Sequence, residues 1–208
     1  MARTRKLPTK PTSRTAIEQA DLVTAHKAGQ WRDHPIIKRL GTLSELADQP
    51  QLYAICASTV AIGVLRGNGR LARAGLRMLA AEWLATKAKS FIKHRVDRSR
   101  PHVPVNGGHY RMQTGHSHES ALNSFPSGHT AGAVAVARAY ASEYPEHAGR
   151  AAAIAIFVGA IQIPRCAHFV SDVGAGAAIG LAAGSLAAKK TGQPTDEASA
   201  QMGSRSGR

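Results

Sequence analysis

Residues 70–95, RLARAGLRMLAAEWLATKAKSFIKHR, decide the fold class of this chain. Leu71, Leu76, Met78, Leu79, Trp83, Leu84 and Phe91 stand among alanines with no period-two alternation, so the segment reads as one long helix. Gly67, Asn68 and Gly69 form the turn before it. Arg100-Pro101 is expected to end it, because a residue preceding proline disfavours the helical region. Upstream, Leu52 to Leu65 is nearly all apolar and uncharged. A short helix is expected over 42–48, after an interruption at Pro35. Another is expected over 16–28, capped by Thr15 with Glu18 as its capping-box partner. Downstream, residues 102–124 read as a polar loop, followed by helices over 128–143, 148–163 and 168–190. The expected class is all-α, a helical bundle, with no internal repeat.

At 208 residues the chain suits one domain with a real core. We expect a basic, disordered arm over 1–15, a single helical domain over 16–190 and a polar, disordered tail over 191–208. The arm is followed by no apolar stretch of the secretory type. The chain carries 27 Lys and Arg against 13 Asp and Glu, a formal net charge of +14. That excess favours acidic partners: phosphorylated substrates, anionic lipid surfaces or nucleic acid. Aromatics make up only 5% of residues and are not interleaved with the basic ones, so nucleic acid is not the expected partner. The two cysteines, Cys56 and Cys166, form no CxxC and no disulfide framework. Cys166 reads as a small buried residue beside the basic cluster rather than as a nucleophile.

Three short clusters carry chemistry. Lys93 and Arg100 are seven residues apart, two helical turns; if the helix reaches Arg100, both project from one face and suit a phosphate dianion. Phe125-Pro126-Ser127-Gly128-His129-Thr130 reads as a loop turning into a helix. Ser127 is a natural N-cap, Gly128 permits close backbone approach, and the free N–H groups favour an anion there. His129, in the first turn, would face that anion as a proton donor. His168 and Asp172 are i and i+4 and would share a helical face. A carboxylate accepting Nδ1–H from His168 would leave its Nε2 as a nucleophile. His109, His116 and His118 with Glu119 lack a ligand framework, so no metal site is expected there.

Together these clusters resemble the signature of the type 2 phosphatidic acid phosphatase family, which shares its fold with vanadium haloperoxidases and bacterial non-specific acid phosphatases. The resemblance covers about residues 52–189. It implies an α-helical bundle and catalysis without metal or other cofactor. It implies that Lys93, Arg100, Ser127 and the Gly128 N–H hold phosphate, and that His129 protonates the leaving oxygen. His168 would become a phosphohistidine, oriented by Asp172. The third cluster departs from the pattern. Counting back from His168 places Ile161 and Gln162 where the family has Ser-Arg, and the nearest arginine is Arg165. Either Arg165 takes over the cation's work or the site is one cation short.

The resulting expectation is a phosphatase for a phosphomonoester or diphosphate, with a lipid phosphate favoured by resemblance and charge. The alternatives are a weak or inactive anion-binding relative at a membrane, or a vanadate-dependent haloperoxidase. The charge-free runs 49–65, 151–164 and 173–188 tilt the expected location toward an integral protein of the cell membrane, with a soluble or peripheral bundle as alternative. Each falls short of the about 20 apolar residues of a full span.

Overall fold

The computed structural model describes residues 14–117 and 119–189. The tail expected over 191–208 and most of the arm lie outside the described residues, as does His118. The helices are α1 (Ala16–Gly29), α2 (Pro35–Ser44), α3 (Gln49–Leu65), α4 (Gly69–Lys93), α5 (His102–Val105), α6 (Gly128–Glu143), α7 (Ala148–Ile161) and α8 (Val170–Ala188). A 3₁₀ turn, Glu45–Ala47, joins α2 to α3. The all-α expectation stands, with one small addition: β1 (Val96–Arg98) pairs antiparallel with β2 (Met112–Thr114) inside the stretch read as a loop.

Helix α6 lies at the centre and packs against α4, α7 and α8, while α3 packs on α4. Small residues set these distances. Gly176, Gly180 and Gly184 recur every fourth residue along α8. A Cβ at Gly176 would lie 2.5 Å from the Ser127 carbonyl, and one at Gly180 equally close to that of Ala131. The α8 backbone therefore lies against the α6 backbone in a way that larger side chains would prevent. Ala131, Ala135 and Ala139 on α6 are fully buried, and Leu52, Cys56, Met78 and Ala81 complete that core. The outer surface is less polar than the inside would suggest: Leu65, Ile154, Ile156, Leu181 and Leu186 are exposed.

Three boundaries differ from the sequence reading, and two of them move a site residue. Pro35 opens α2 rather than interrupting a helix. It sits in the first turn, where its missing N–H costs nothing, and His34 Nδ1 accepts from Ile36 N–H at 3.3 Å. Helix α4 stops at Lys93, because residues 96–98 pair as a strand; proline forbids helix at Arg100 without drawing the helix up to it. Lys93 and Arg100 therefore do not share a helical face. Helix α8 begins at Val170, where Asp172 Oδ2 accepts the Phe169 N–H at 2.8 Å, so His168 precedes the helix and is not i, i+4 with Asp172 within it. The capping box at Thr15 and Glu18 is present as expected.

Candidate active site

The second cluster meets the other two through one stretch of backbone. Successive carbonyls in the loop before α6 hold a member of each: Asn123 O accepts from Lys93 Nζ at 3.3 Å, and Ser124 O accepts from His168 Nδ1 at 2.7 Å. Arg100 Nε donates to Ser120 O at 3.0 Å, three residues upstream. The Ser127 N–H donates to Asp172 O at 3.1 Å, which joins the N-terminus of α6 to that of α8. Lys93 and Arg100, the N-terminus of α6 with His129, and His168 thus converge although α4 ends early.

Helix α6 starts as the sequence predicts. Ser127 is the N-cap; its Oγ accepts from Thr130 N–H at 3.4 Å and lies 2.9 Å from Thr130 Oγ1. That hydroxyl is buried and occupied by its own helix, so the first-turn N–H groups of Gly128 and His129, which have no intrahelical acceptor, are the donors left for an anion. A Cβ on Gly128 would lie 3.2 Å from Lys89 Nζ. Lys89 stands one turn before Lys93 and adds a positive charge that the sequence reading passed over; the i, i+4 spacing from Lys93 was the available signal.

His168 is 3% exposed. Its Nδ1–H goes to Ser124 O, not to Asp172, whose Oδ2 is 3.9 Å away. Asp172 instead accepts from Ser124 Oγ at 2.6 Å and pairs with Arg98. The carboxylate holds Ser124, and the Ser124 carbonyl holds the ring. Nε2 is left with its lone pair, the arrangement of a nucleophile. Burial, then the Arg100 and Lys93 cations, hold the His168 pKa well below the usual histidine range, so the ring is neutral at physiological pH. Burial, then Arg100 and Lys89, push the Lys93 ammonium down to about 8.

Arg98, one of several basic residues between Lys93 and Arg100, is the most deeply buried cation of that segment. It is 1% exposed and donates to Asp21 at 2.7 Å, to Ser171 Oγ at 2.7 Å, to Asp172 and to Tyr110. Its guanidinium also lies over the Phe169 ring. Asp21 comes from α1, outside the span of the family resemblance. Nothing in the local sequence separates it from an ordinary surface aspartate.

Gln162 and Arg165 meet at one hydroxyl. Gln162 is fully buried and donates to Ser44 Oγ at 3.2 Å, while Arg165 Nη1 donates to the same oxygen at 2.9 Å and Nη2 to Glu45. Arg165 therefore turns toward α2 and the 3₁₀ turn. His129 Nε2 lies 3.8 Å from Glu45 Oε2 and 3.7 Å from Asp48 Oδ1, is shielded from solvent and has no hydrogen-bond partner among the described residues. Burial lowers its pKa, against the opposing pull of Asp48 and Glu45. Glu45, Asp48 and His129 are also the one grouping among the described residues whose ligand atoms, all within 4.8 Å of one another, could hold a metal ion. The sequence reading missed Ser44, Glu45 and Asp48, which lie before the motifs begin.

A helical bundle that gathers lysine, arginine and two histidines at the ends of its central helices defines a class built to hold an oxyanion and move a proton beside it. Within that class the chain belongs to the PAP2 superfamily, whose sequence profile matches residues 71–194. It is 38% identical over 86 residues to a lipid A 1-phosphatase of Porphyromonas gingivalis, a stretch that is 39% of this chain and 19% of that protein. The chain thus spans about a fifth of that relative's length. Its fold is similar to that of a transmembrane PAP2-type phosphatidylglycerolphosphate phosphatase from Bacillus subtilis, with a TM-score of 0.61 and 21% identity over 84% of this chain and 86% of that one.

Proposed function

We propose that this protein is a membrane-associated phosphatase that hydrolyses a lipid phosphate ester through a phosphohistidine, without a metal ion. The observation that carries this reading is His168, tied at Nδ1 to the Ser124 carbonyl and left free at Nε2 beside Lys93 and Arg100.

The substrate phosphate binds between Lys93, Arg100 and the first-turn N–H groups of α6, which stabilise negative charge as it shifts among the phosphoryl oxygens. His168 Nε2 attacks phosphorus as the ester P–O bond breaks. With Asp48, Glu45 and the bound phosphate favouring its charged form against burial, His129 carries a proton on Nε2 and passes it to the leaving oxygen. Neutral His129 then takes a proton from water as that water attacks phosphorus. The P–N bond breaks, inorganic phosphate leaves, and His168 returns neutral with His129 reprotonated. Asp172 and Ser124 keep the His168 tautomer fixed throughout. These fixed cations supply the charge a metal would otherwise supply.

A lipid substrate fits two features. An apolar cleft of about 620 Å³ among α3, α6 and α7 is lined by Leu52, Ile55, Val136 and Phe157, and reaches Ala47, between the Glu45 and Asp48 that face His129. Helix α8 is long and apolar enough to cross a membrane, and it leaves Leu181 and Leu186 exposed. The matched relatives, a lipid A 1-phosphatase and a phosphatidylglycerolphosphate phosphatase, both take their names from lipids, in agreement with this choice. The test is phosphate release from a panel of lipid and soluble phosphates by the purified full chain, with and without chelator and vanadate. Release that survives chelator and is inhibited by vanadate is expected; release restored only by added divalent metal overturns the metal-free step.

A further inference from the structure

The charges around the site are not evenly spread. Lys93 and Arg100 flank His168, whereas His129 Nε2 faces two carboxylates, with the Arg165 and Lys89 cations also near its ring and Asp48 close enough to act on Lys93. Both carboxylates come from the junction of the 3₁₀ turn with α3, a segment outside the phosphate-binding motifs. Glu45 Oε2 and Asp48 Oδ1 lie 3.8 and 3.7 Å from Nε2, beyond hydrogen-bonding distance. The lone pairs they turn toward this space are therefore not spent on the ring. Asp48 occupies the N-cap position of α3 yet makes no side-chain capping bond, although aspartate is among the best N-caps. Glu45 is anchored from behind by Arg165. Nε2 itself has no partner among the described residues.

We infer that Glu45 and Asp48 form the leaving-group subsite, a pair of acceptors selecting phosphate esters whose leaving group carries hydroxyl or ammonium donors beside the ester oxygen. The inference rests on His129 being the acid that protonates the leaving oxygen. That oxygen sits about 2.8 Å from Nε2 when it takes the proton. Substituents on the adjacent carbons then come within reach of both carboxylates. A polyol or amino-sugar leaving group offers donors there; a plain alkyl chain offers none. A diphosphate presents a second anion to two carboxylates, which repels it. The subsite therefore narrows the substrate class from phosphate esters and diphosphates to monoesters of donor-bearing lipids.

The experiment compares four substrates of one chain length with the full protein in detergent micelles: a plain alkyl phosphate, an alkyl glycerol phosphate with a free hydroxyl, an alkylated amino-sugar 1-phosphate, and an alkyl diphosphate. The readout is the ratio of kcat/KM values, which a merely structural role would not move. The wild type is expected to prefer the two donor-bearing monoesters about tenfold or more over the plain one, the worth of one well-placed hydrogen bond. Asp48→Ala is expected to lower that ratio about tenfold and to raise the relative rate on the diphosphate. Asp48→Asn keeps an acceptor without the charge, so it is expected to retain preference for the hydroxyl and lose it for the ammonium. A ratio that Asp48→Ala leaves unchanged overturns the subsite. So does a preference that disappears with chelator, which would assign Glu45, Asp48 and His129 to a metal ion. Equal rates on all monoesters would overturn the subsite alone; no phosphate from any substrate would overturn the phosphatase reading and the subsite with it.

Discussion

Arg98 and Arg165 each join a guanidinium to carboxylates at the edge of the site, and the two groups are built on opposite plans. The side chains of Arg98, Asp21 and Asp172 are 1%, 4% and 0% exposed, and the guanidinium is met by two carboxylates and two hydroxyls. The side chains of Arg165 and Glu45 are 26% and 42% exposed, and beside them His129 Nε2 and Gln162 Oε1 lack partners among the described residues. A buried charge tolerates no missing partner, so the first group is a closed structural joint. The second leaves acceptors and a ring nitrogen uncommitted, as a surface does that meets a ligand. Completeness of hydrogen bonding separates the part that holds the site from the part that works on a substrate.

The comparison breaks most visibly at the residue the closed group supports. His168→Ala should reduce phosphate release to background and abolish covalent labelling by radioactive substrate, since the proposed covalent step runs through its Nε2. A labelled, active variant would move the covalent step elsewhere. Arg98→Ala should next cost about 3–5 kcal/mol of stability by stranding Asp21 and Asp172, measured as a fall in melting temperature in detergent. An unchanged melting temperature would show that the joint holds nothing.

The pH dependence sharpens the electrostatic side. With its pKa near 8, Lys93 is charged below that pH and neutral above it, so kcat/KM should fall as pH rises through about 8. Lys93→Arg stays charged and should move this falling limb upward. A limb that stays in place belongs to another group. The smallest effect is expected at Arg165. Its pair with Glu45 is partly exposed, so Arg165→Ala should cost no more than about 1 kcal/mol of stability. Its activity should fall less than that of Lys93→Ala, because its donors go to Ser44 and Glu45. Gln162→Arg should destabilise the protein instead of restoring a charge, because the position is fully buried against Ser44. A gain of activity in that variant would return the missing cation to Gln162.

The bundle was legible because its helices follow their own patterns: the turn at Gly67–Gly69 and the cap at Ser127 are local signals. The meeting of His129 and His168 with the basic residues was legible because motif spacing survives in the sequence even where the secondary structure around it does not. The i, i+7 and i, i+4 arguments failed for one shared reason. Lys93 and Asp172 lie in helices whose ends are set by other bonds, the pairing of residues 96–98 with 112–114 and the Asp172 cap on the Phe169 N–H. Asp21, Ser44, Glu45 and Asp48 were illegible because their roles exist only across tertiary contacts. Arg98 was hidden by its neighbours, since a basic run looks solvated until burial singles out one member.

The closed joint also sets an order on the birth of the protein. Asp21 binds Ser171, 150 residues later, and Arg98 lies 77 and 74 residues from its two carboxylates. During synthesis Arg98 leaves the ribosome with only Asp21 available, and its second carboxylate arrives with α8. A nascent chain that has not yet made α8 thus carries a half-satisfied cation in its interior, a state that favours waiting over premature closure. The arrival of α8 is the event that lets the joint lock, and the same event brings His168 to the Ser124 carbonyl.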